Sequence, residues 1–182
     1  MTLLARCFCM ICIIGWIAPI TRGDEILTFD ELSFRPVDGV TAKDVTFDFK
    51  IDGIDSFDAF YGSFGPGELT SIQDPSLVGN STGILTLDFS APTDLLEFGV
   101  ALSTSESLAA GLVVELFDEN LSSLGTTTVE TVNAEGATAF SEGRFFYSGT
   151  PLVRAVIDFA AFMVMIRGLT SPDRSPDHAS NS

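Results

Sequence analysis

The stretch VTFDFKIDGIDSFDAF, Val45–Phe60, decides the fold class. Every second side chain at its start is apolar: Val45, Phe47, Phe49 and Ile51. The residues between them are polar: Thr46, Asp48 and Lys50. Successive side chains of a β-strand point to opposite faces, so this alternation predicts a half-buried strand. Asp52-Gly53 favours a tight turn that ends it.

The same stretch has the aspartates and the glycine of a calcium loop, so that alternative needs a test. An EF-hand loop has oxygen ligands at positions 1, 3, 5 and 12 and glycine at position 6. Counted from Asp48, positions 5 and 6 fit as Asp52 and Gly53, but position 3 is Lys50 and position 12 is Ala59. A lysine would put a positive charge where the cation belongs. We therefore interpret the stretch as a strand and a turn.

Period-2 alternation recurs along the rest of the chain, between clusters of Gly, Asp, Asn, Ser and Pro. Short strands at close spacing predict an all-β fold, an antiparallel β-sandwich of jelly-roll type with about ten strands. The 16 phenylalanines suit a core between two facing sheets. The predicted strands are 26–32, 44–51, 68–72, 84–90, 95–102, 112–118, 124–132, 138–148, 152–159 and 162–169.

The chain divides into three predicted segments. Residues 1–23 combine one arginine, a short apolar run and small residues, which is typical of a secretory signal peptide. Residues 24–169 form the β-sandwich domain, and the polar residues 170–182 form a disordered tail. We expect a secreted protein, extracellular or periplasmic, with no membrane attachment after cleavage. All three cysteines lie in the leader, so the mature domain would have no disulfide.

Charge and histidine content exclude several functions. A formal net charge of −16 repels nucleic acid and anionic membranes, so we expect neither as a partner. The one histidine, His178, lies in the predicted tail. Ser-His-Asp hydrolysis and histidine-ligated metals need a positioned imidazole, so the sequence argues against both.

Two loops are candidate ligand-binding segments, because the loops at the ends of a sandwich often bind ligands. The glycine-rich loop YGSFGPGE carries Tyr61 and Phe64. Residues 113–132 predict a hairpin whose turn contains Asp118 and Asn120. Polysaccharide is the ligand class we expect, although the mature domain lacks the tryptophan that often supports a sugar ring.

Acidic residues near the predicted first and penultimate strands could hold a structural calcium ion. Asp30, Glu31 and Asp158 offer carboxylate oxygens, the ligands that calcium prefers. The alternative is that they are ordinary surface acids. No other cofactor is expected. Asn80 and Asn120 begin N-glycosylation sequons, which matter in a eukaryotic host.

Four segments together resemble a loosely defined group of secreted bacterial proteins that often carry a C-terminal Pro-Glu-Pro surface-sorting signal. The segments are ILTFDEL, YGSFGPGELTSIQDPSLVGNSTGILTLDFSAPTDLLEFGVAL, VELFDENLSSLGT and FSEGRFFYSGTPLVRAVIDF. The resemblance implies a sandwich like those of lectins and carbohydrate-binding modules, without an assigned activity. The sorting signal is absent here. Arg167-Gly168 also stands where the group has an acid and an amide, which puts a metal at that position in doubt.

The function predicted from the sequence is therefore a secreted, non-catalytic binding protein of an extracellular matrix or envelope, with polysaccharide or a matrix protein as partner. One alternative is a small polysaccharide hydrolase or lyase using paired carboxylates, such as Glu115 with Glu97 or Glu130. Another is a purely structural component of an extracellular assembly.

Overall fold

The computed structural model of the chain describes residues 23–27, 35–62, 69–72, 76–80, 82–134, 140–159, 164–167 and 169–173. Within these ranges the regular structure is entirely β-strand, and all strand pairs are antiparallel. No helix long and apolar enough to cross a membrane occurs among them. The predicted all-β, antiparallel class is confirmed, whereas the finer jelly-roll assignment stays a prediction.

Twelve strands are present in the described part of the chain, where the sequence predicted about ten. They are β1 (Gly23–Leu27), β2 (Thr41–Ala42), β3 (Val45–Ile51), β4 (Ile54–Asp55), β5 (Ala59–Gly62), β6 (Ser76–Gly79), β7 (Gly83–Leu102), β8 (Leu108–Phe117), β9 (Ser123–Asn133), β10 (Ser141–Phe159), β11 (Val164–Arg167) and β12 (Leu169–Asp173). The predicted strand in the opening stretch and the predicted hairpin of β8 and β9 are both confirmed.

Two long strands organise the fold, and each replaces two predicted shorter ones. The segments 84–90 and 95–102 are parts of β7, and the segments 138–148 and 152–159 fall largely in β10. The pairing of β7 with β10 shifts register on both sides of Leu152. The buried positions of β7 also change phase, from odd numbers up to Phe89 to even numbers from Leu96. These irregularities let one strand contribute to two layers, as β-bulges do.

The layers share one core. The first half of β7 pairs with β3 and with the end of β10, which continues to β8 and β9. The second half of β7 pairs with β11 and the start of β10, and β11 continues to β6 and β5. Buried residues of both halves, including Phe47, Leu87, Phe98 and Phe145, belong to one apolar cluster. This arrangement is that of a β-sandwich, in which inward side chains interdigitate.

Two tight turns bracket β3. Lys43 and Asp44 have φ of 44° and 62°, and they join β2 to β3. Asp52 and Gly53 have φ of 52° and 77°, and they join β3 to β4. Two consecutive positive φ values are the geometry of the two-residue hairpin turn that matches strand twist. The turn predicted at Asp52-Gly53 is confirmed.

Other boundaries differ from the prediction. Residues 69–72, predicted as a strand, form an irregular segment, while β5 and β6 were missed. β12 continues to Asp173 and pairs with β1, so the first four residues of the predicted tail are in a strand. The rest of the predicted tail and leader residues 1–22 lie outside the described residues.

Candidate functional site: the charged face

Outward side chains of four adjacent strands form a surface that we call the charged face. Its three rows run across β3, β7, β10 and β8, and they are Thr46–Asp88–Arg154–Phe117, Asp48–Thr86–Val156–Glu115 and Lys50–Ile84–Asp158–Val113. The alternate rows point inward and are buried, for example Phe47–Leu87–Ala155–Leu116. Period-2 alternation of the four segments therefore produces both the core and this face.

The first row contains a bidentate ion pair between neighbouring strands. Arg154 donates Nε and Nη2 to Asp88 Oδ1 and Oδ2 at 2.6 and 3.0 Å. Their side chains are 37% and 39% exposed. The hydrogen bond to Asp88, with a smaller contribution from the charge of Asp48, raises the pKa of Arg154 above its ordinary value. The planar pair is thus held in one orientation while its outer edge stays open to solvent.

A second charged group lies beside it, where β3 meets the β3–β4 turn. Lys50 Nζ donates to both carboxylate oxygens of Asp48, at 2.6 Å to Oδ1, and lies 3.3 Å from Asp55 Oδ1. The hydrogen bond to Asp48 is the largest cause that raises the pKa of Lys50 above 10.5. Asp38 adds a third carboxylate, whose Oδ1 accepts the Phe49 N–H at 3.1 Å.

These three carboxylates raise the question of a metal ion. Oxygen atoms of Asp38, Asp48 and Asp55 lie within 4.8 Å of one another. The ammonium group of Lys50, however, already pairs with two of them, and Asp38 is engaged by a backbone N–H. The set therefore does not fit a divalent cation while Lys50 is paired. The positive charge that argued against a calcium loop in the sequence occupies this cluster.

Apolar surface lies between the charged groups. Ile84 is 43% exposed, and Val113, Val156 and Phe117 are partly exposed. The charged face thus alternates hydrogen-bonding groups with hydrocarbon over four strands. A ligand with hydroxyl groups at its rim and C–H groups on its ring faces is chemically matched to such a surface.

The predicted ligand residues are placed apart from one another. Across the strands β5, β6, β11 and β7, Tyr61 is aligned with Val100. Across the strands β8, β10 and β7, Phe117, the residue before Asp118, is aligned with Asp88. These two positions of β7, Val100 and Asp88, are twelve residues apart along the strand. Phe64 lies outside the described residues. The pairing thus does not bring the two predicted loops together.

Asp118 has a structural role in the β8–β9 turn. Its Oδ1 accepts the N–H groups of Asn120 at 2.9 Å and Ser122 at 2.8 Å. A carboxylate used in this way mimics a backbone turn. Asn120 is exposed in the same turn. Ligand contact by either residue stays a prediction.

The predicted calcium and glycosylation residues are also separated. Asp158 is exposed on the charged face, and Asp30 and Glu31 lie outside the described residues. Asn80 is exposed after β6, where its Oδ1 accepts the N–H and the hydroxyl of Thr82 at 3.0 Å each. Asn120 offers a second exposed sequon. Calcium binding and glycosylation stay predictions.

The carboxylate pairs suggested for an enzyme are not brought together. Glu115 is opposite Thr126, four residues before Glu130, so the backbone positions of the two glutamates are offset by about 13 Å along the strand. Glu97 is opposite Phe146, and Glu115 is opposite Val156, ten residues further along β10. Glu115 accepts a hydrogen bond from the Ser123 hydroxyl at 2.8 Å. Neither pair is directly opposite in neighbouring strands, so the strand register does not set either pair at the separation of about 5 to 9.5 Å that glycosidases use.

Sequence reasoning identified part of the charged face and missed the rest. Asp48 and Lys50 were predicted to project from the solvent face of their strand, and they do. The pairing of Asp88 with Arg154 was missed. Both alternate with buried residues in their own strands, which signals an outward position. Their mutual pairing spans 66 residues of chain, and no local signal gives it.

Comparisons with known proteins assign no family. No protein-family model and no curated protein matches the chain. Among solved structures, it is similar to a carbohydrate-binding module of family 29, with 7% identity, a TM-score of 0.41 and coverage of 81% of this chain and 88% of that one. A mutant of such a module gives 8% identity, a TM-score of 0.40 and coverage of 81% and 99%.

The enzymatically active domain of tailspike protein 4 from bacteriophage CBA120 gives 12% identity and a TM-score of 0.37, with coverage of 75% of this chain and 22% of that one. At these identities and TM-scores, no functional residue is carried over from any of the three structures.

Proposed function

We propose that the protein is a secreted, non-catalytic polysaccharide-binding protein and that its charged face contacts the sugar chain. The observation that carries the proposal is the open face itself. Arg154–Asp88 and Lys50–Asp48 are paired in fixed geometry, yet each of the four side chains is 36 to 39% exposed. Such groups can donate to and accept from sugar hydroxyls without first being ordered, which lowers the entropic cost of binding.

The charge of the surface narrows the ligand class. The chain has a formal net charge of −16, and acids outnumber bases on the charged face itself. An anionic polysaccharide would meet like charge, which costs free energy at an interface. The proposed ligand is therefore a neutral polysaccharide.

Catalysis by carboxylates is the second candidate, because Asp38, Asp48 and Asp55 are close together. Hydrolysis of a glycosidic bond needs one carboxylic acid that keeps its proton. Lys50 pairs with two of the three groups, and the third accepts the Phe49 N–H, so each carboxylate already has a partner within the fold. The cluster suits a fixed hydrogen-bonding group better than an acid–base pair, so binding is the function proposed here.

Retention on neutral polysaccharides tests the proposal. The chain is run through native gels containing cellulose derivative, xylan, mannan or β-glucan, and its mobility is compared with that in a gel without polysaccharide. We expect retardation by at least one polymer, reduced in Arg154→Ala and Lys50→Ala. Arg35→Ala is the matched control, since Arg35 is exposed and adjoins Pro36, which pairs with Phe60 of β5. Release of sugar by the wild-type chain, lost in Asp48→Asn, would establish the enzyme instead.

A further inference from the structure

The outward surface of the second layer carries an exposed aromatic ring. Phe145 and Phe146 are consecutive in β10, so their side chains point to opposite faces. Phe145 is 2% exposed and stacks on Phe98 with ring centroids 5.0 Å apart. Phe146 is 63% exposed. A strand that needs one phenylalanine for its core thus presents a second to solvent.

An ion pair lies next to this ring. Glu97 of β7 is directly opposite Phe146, and Arg144, two residues before Phe146 on the same face, forms a salt bridge with Glu97. Arg144 is 71% exposed and Glu97 is 25% exposed. The ring and the pair repeat the chemistry of the charged face, with hydrocarbon beside fixed donors and acceptors.

An irregular segment, residues 69–72, lies along the same surface, and we call it the strap. The buried carboxylate of Glu142 accepts the N–H of Thr70 at 2.8 and 3.0 Å and the N–H of Ser71 at 2.8 Å. A Cβ on Gly99 would collide with the carbonyl oxygen of Ser71, so the strap is in close contact with β7. Glu142, Arg144 and Phe146 alternate along one face of β10, which places the ring beyond the strap.

We infer that Phe146, Arg144 and Glu97 form a second carbohydrate subsite, in which a pyranose ring of a neutral polysaccharide stacks on Phe146. This inference rests on the proposed function. The C–H face of a sugar matches an aromatic face, while Arg144 donates to hydroxyls and Glu97 accepts from them. Neutral sugar is the occupant that fits, because the salt bridge leaves no net charge for an ionic partner.

The two sites face away from each other. The buried rows beneath the charged face belong to one core cluster. The residues beneath Phe146 belong to the same cluster, among them Phe145, Leu96 and Phe98. Sites on the outer surfaces of two layers cannot both bind one short oligosaccharide. The protein is therefore bivalent and links separate polysaccharide chains, which multiplies its avidity for a matrix.

Calorimetric titration with neutral hexasaccharides (cellohexaose, xylohexaose, mannohexaose and laminarihexaose) tests this inference. For the sugar that binds, we expect two sites per chain in the wild type and one in Phe146→Ala, with affinity at the altered site lowered at least about tenfold. Phe146→Tyr keeps the ring and retains both sites. Phe57→Ala, which removes another exposed phenylalanine, is the matched control.

The outcomes separate this inference from the proposed function. One site in the wild type, lost in Arg154→Ala and unchanged in Phe146→Ala, overturns the second subsite and leaves the proposed function standing. No binding of any hexasaccharide or polymer overturns both. Two sites with loss of one in Phe146→Ala, together with loss of polysaccharide cross-linking measured by turbidity, supports bivalency. Near-ultraviolet circular dichroism of each variant confirms that it is folded.

Discussion

Arg154 and Asp88 are directly opposite each other in β10 and β7, and the guanidinium donates to both carboxylate oxygens at 2.6 and 3.0 Å. The pair lies in the first row of the charged face and joins strands that are 66 residues apart in sequence. The pair is bidentate and more than a third exposed, so it links the two strands, and it is the group that the proposed function assigns to sugar contact.

A double-mutant cycle measures the stabilisation from this pair. Arg154→Met, Asp88→Asn and the double variant are unfolded in urea. We expect a coupling free energy of about 0.5 to 1 kcal/mol, small because both side chains are more than a third exposed. Arg35→Met combined with Asp88→Asn is the control and should show no coupling. Equal coupling free energies for the pair and the control would contradict the role of the pair.

Lys50 predicts a stability change at alkaline pH. Its pKa is raised above 10.5 in the folded chain, mainly by the hydrogen bond to Asp48. A raised folded-state pKa gives stabilisation that is complete below the ordinary value and is lost as pH rises through the folded value. The advantage of wild type over Lys50→Met should therefore be constant at neutral pH and shrink above about pH 10.5.

Urea unfolding midpoints between pH 8 and pH 11.5 provide the check, and Lys50→Arg should keep the advantage throughout the range. A difference between wild type and Lys50→Met that does not change with pH would show that the pairing seen in the structure does not stabilise the fold.

Removal of Lys50 should also convert its neighbours into a cation site. Lys50→Ala leaves the carboxylates of Asp38, Asp48 and Asp55 within 4.8 Å of one another without the ammonium group. We expect 10 mM Ca²⁺ to raise the melting temperature of Lys50→Ala by several degrees more than that of wild type, since a ligand of the folded state stabilises it. Arg35→Ala controls for the lost positive charge. An equal calcium response in all three chains would refute the account of the cluster.

Glu142 should be far more important for stability than an exposed acid. Glu142→Gln replaces one acceptor oxygen by an NH₂ group that faces the N–H donors of Thr70 and Ser71. We expect a loss of about 1 to 3 kcal/mol in the unfolding free energy, because the site is buried. Glu130→Gln, on the exposed face of β9, is the matched control. Hydrogen exchange of the Thr70 and Ser71 amides should accelerate in Glu142→Gln alone.

The fold class could be predicted because alternation is a local property. The run from Val45 to Ile51 and the Asp52-Gly53 turn are specified by neighbouring residues, and the structure agrees with both. The prediction that strands end at turn-forming residues was wrong where such residues lie inside β7 and β10. Pro92 and residues 149–151 lie where the strands change phase and register. A β-bulge accommodates proline and glycine there, whereas a regular hydrogen-bonded ladder disfavours both.

The candidate site was less accessible to prediction, because it depends on which strands are neighbours. Asp88 and Arg154 each look like ordinary surface residues until β7 and β10 are paired. The bond from Thr70 to Glu142 likewise crosses 72 residues of chain. Phe146 carried a local signal, since two adjacent phenylalanines in a strand cannot both enter one core. The number of phenylalanines alone, 16 in the chain, does not separate rings in the core from rings on the surface.

The most direct test of the charged face is a chemical-shift map of the chain with the polysaccharide fragment that retards it in native gels. We predict that Arg154 Nε–H and the amides of β3, the first half of β7 and the end of β10 shift on titration, and that Arg154→Ala abolishes these shifts. Saturable binding that leaves those signals unmoved would contradict the account and place the sugar elsewhere on the protein.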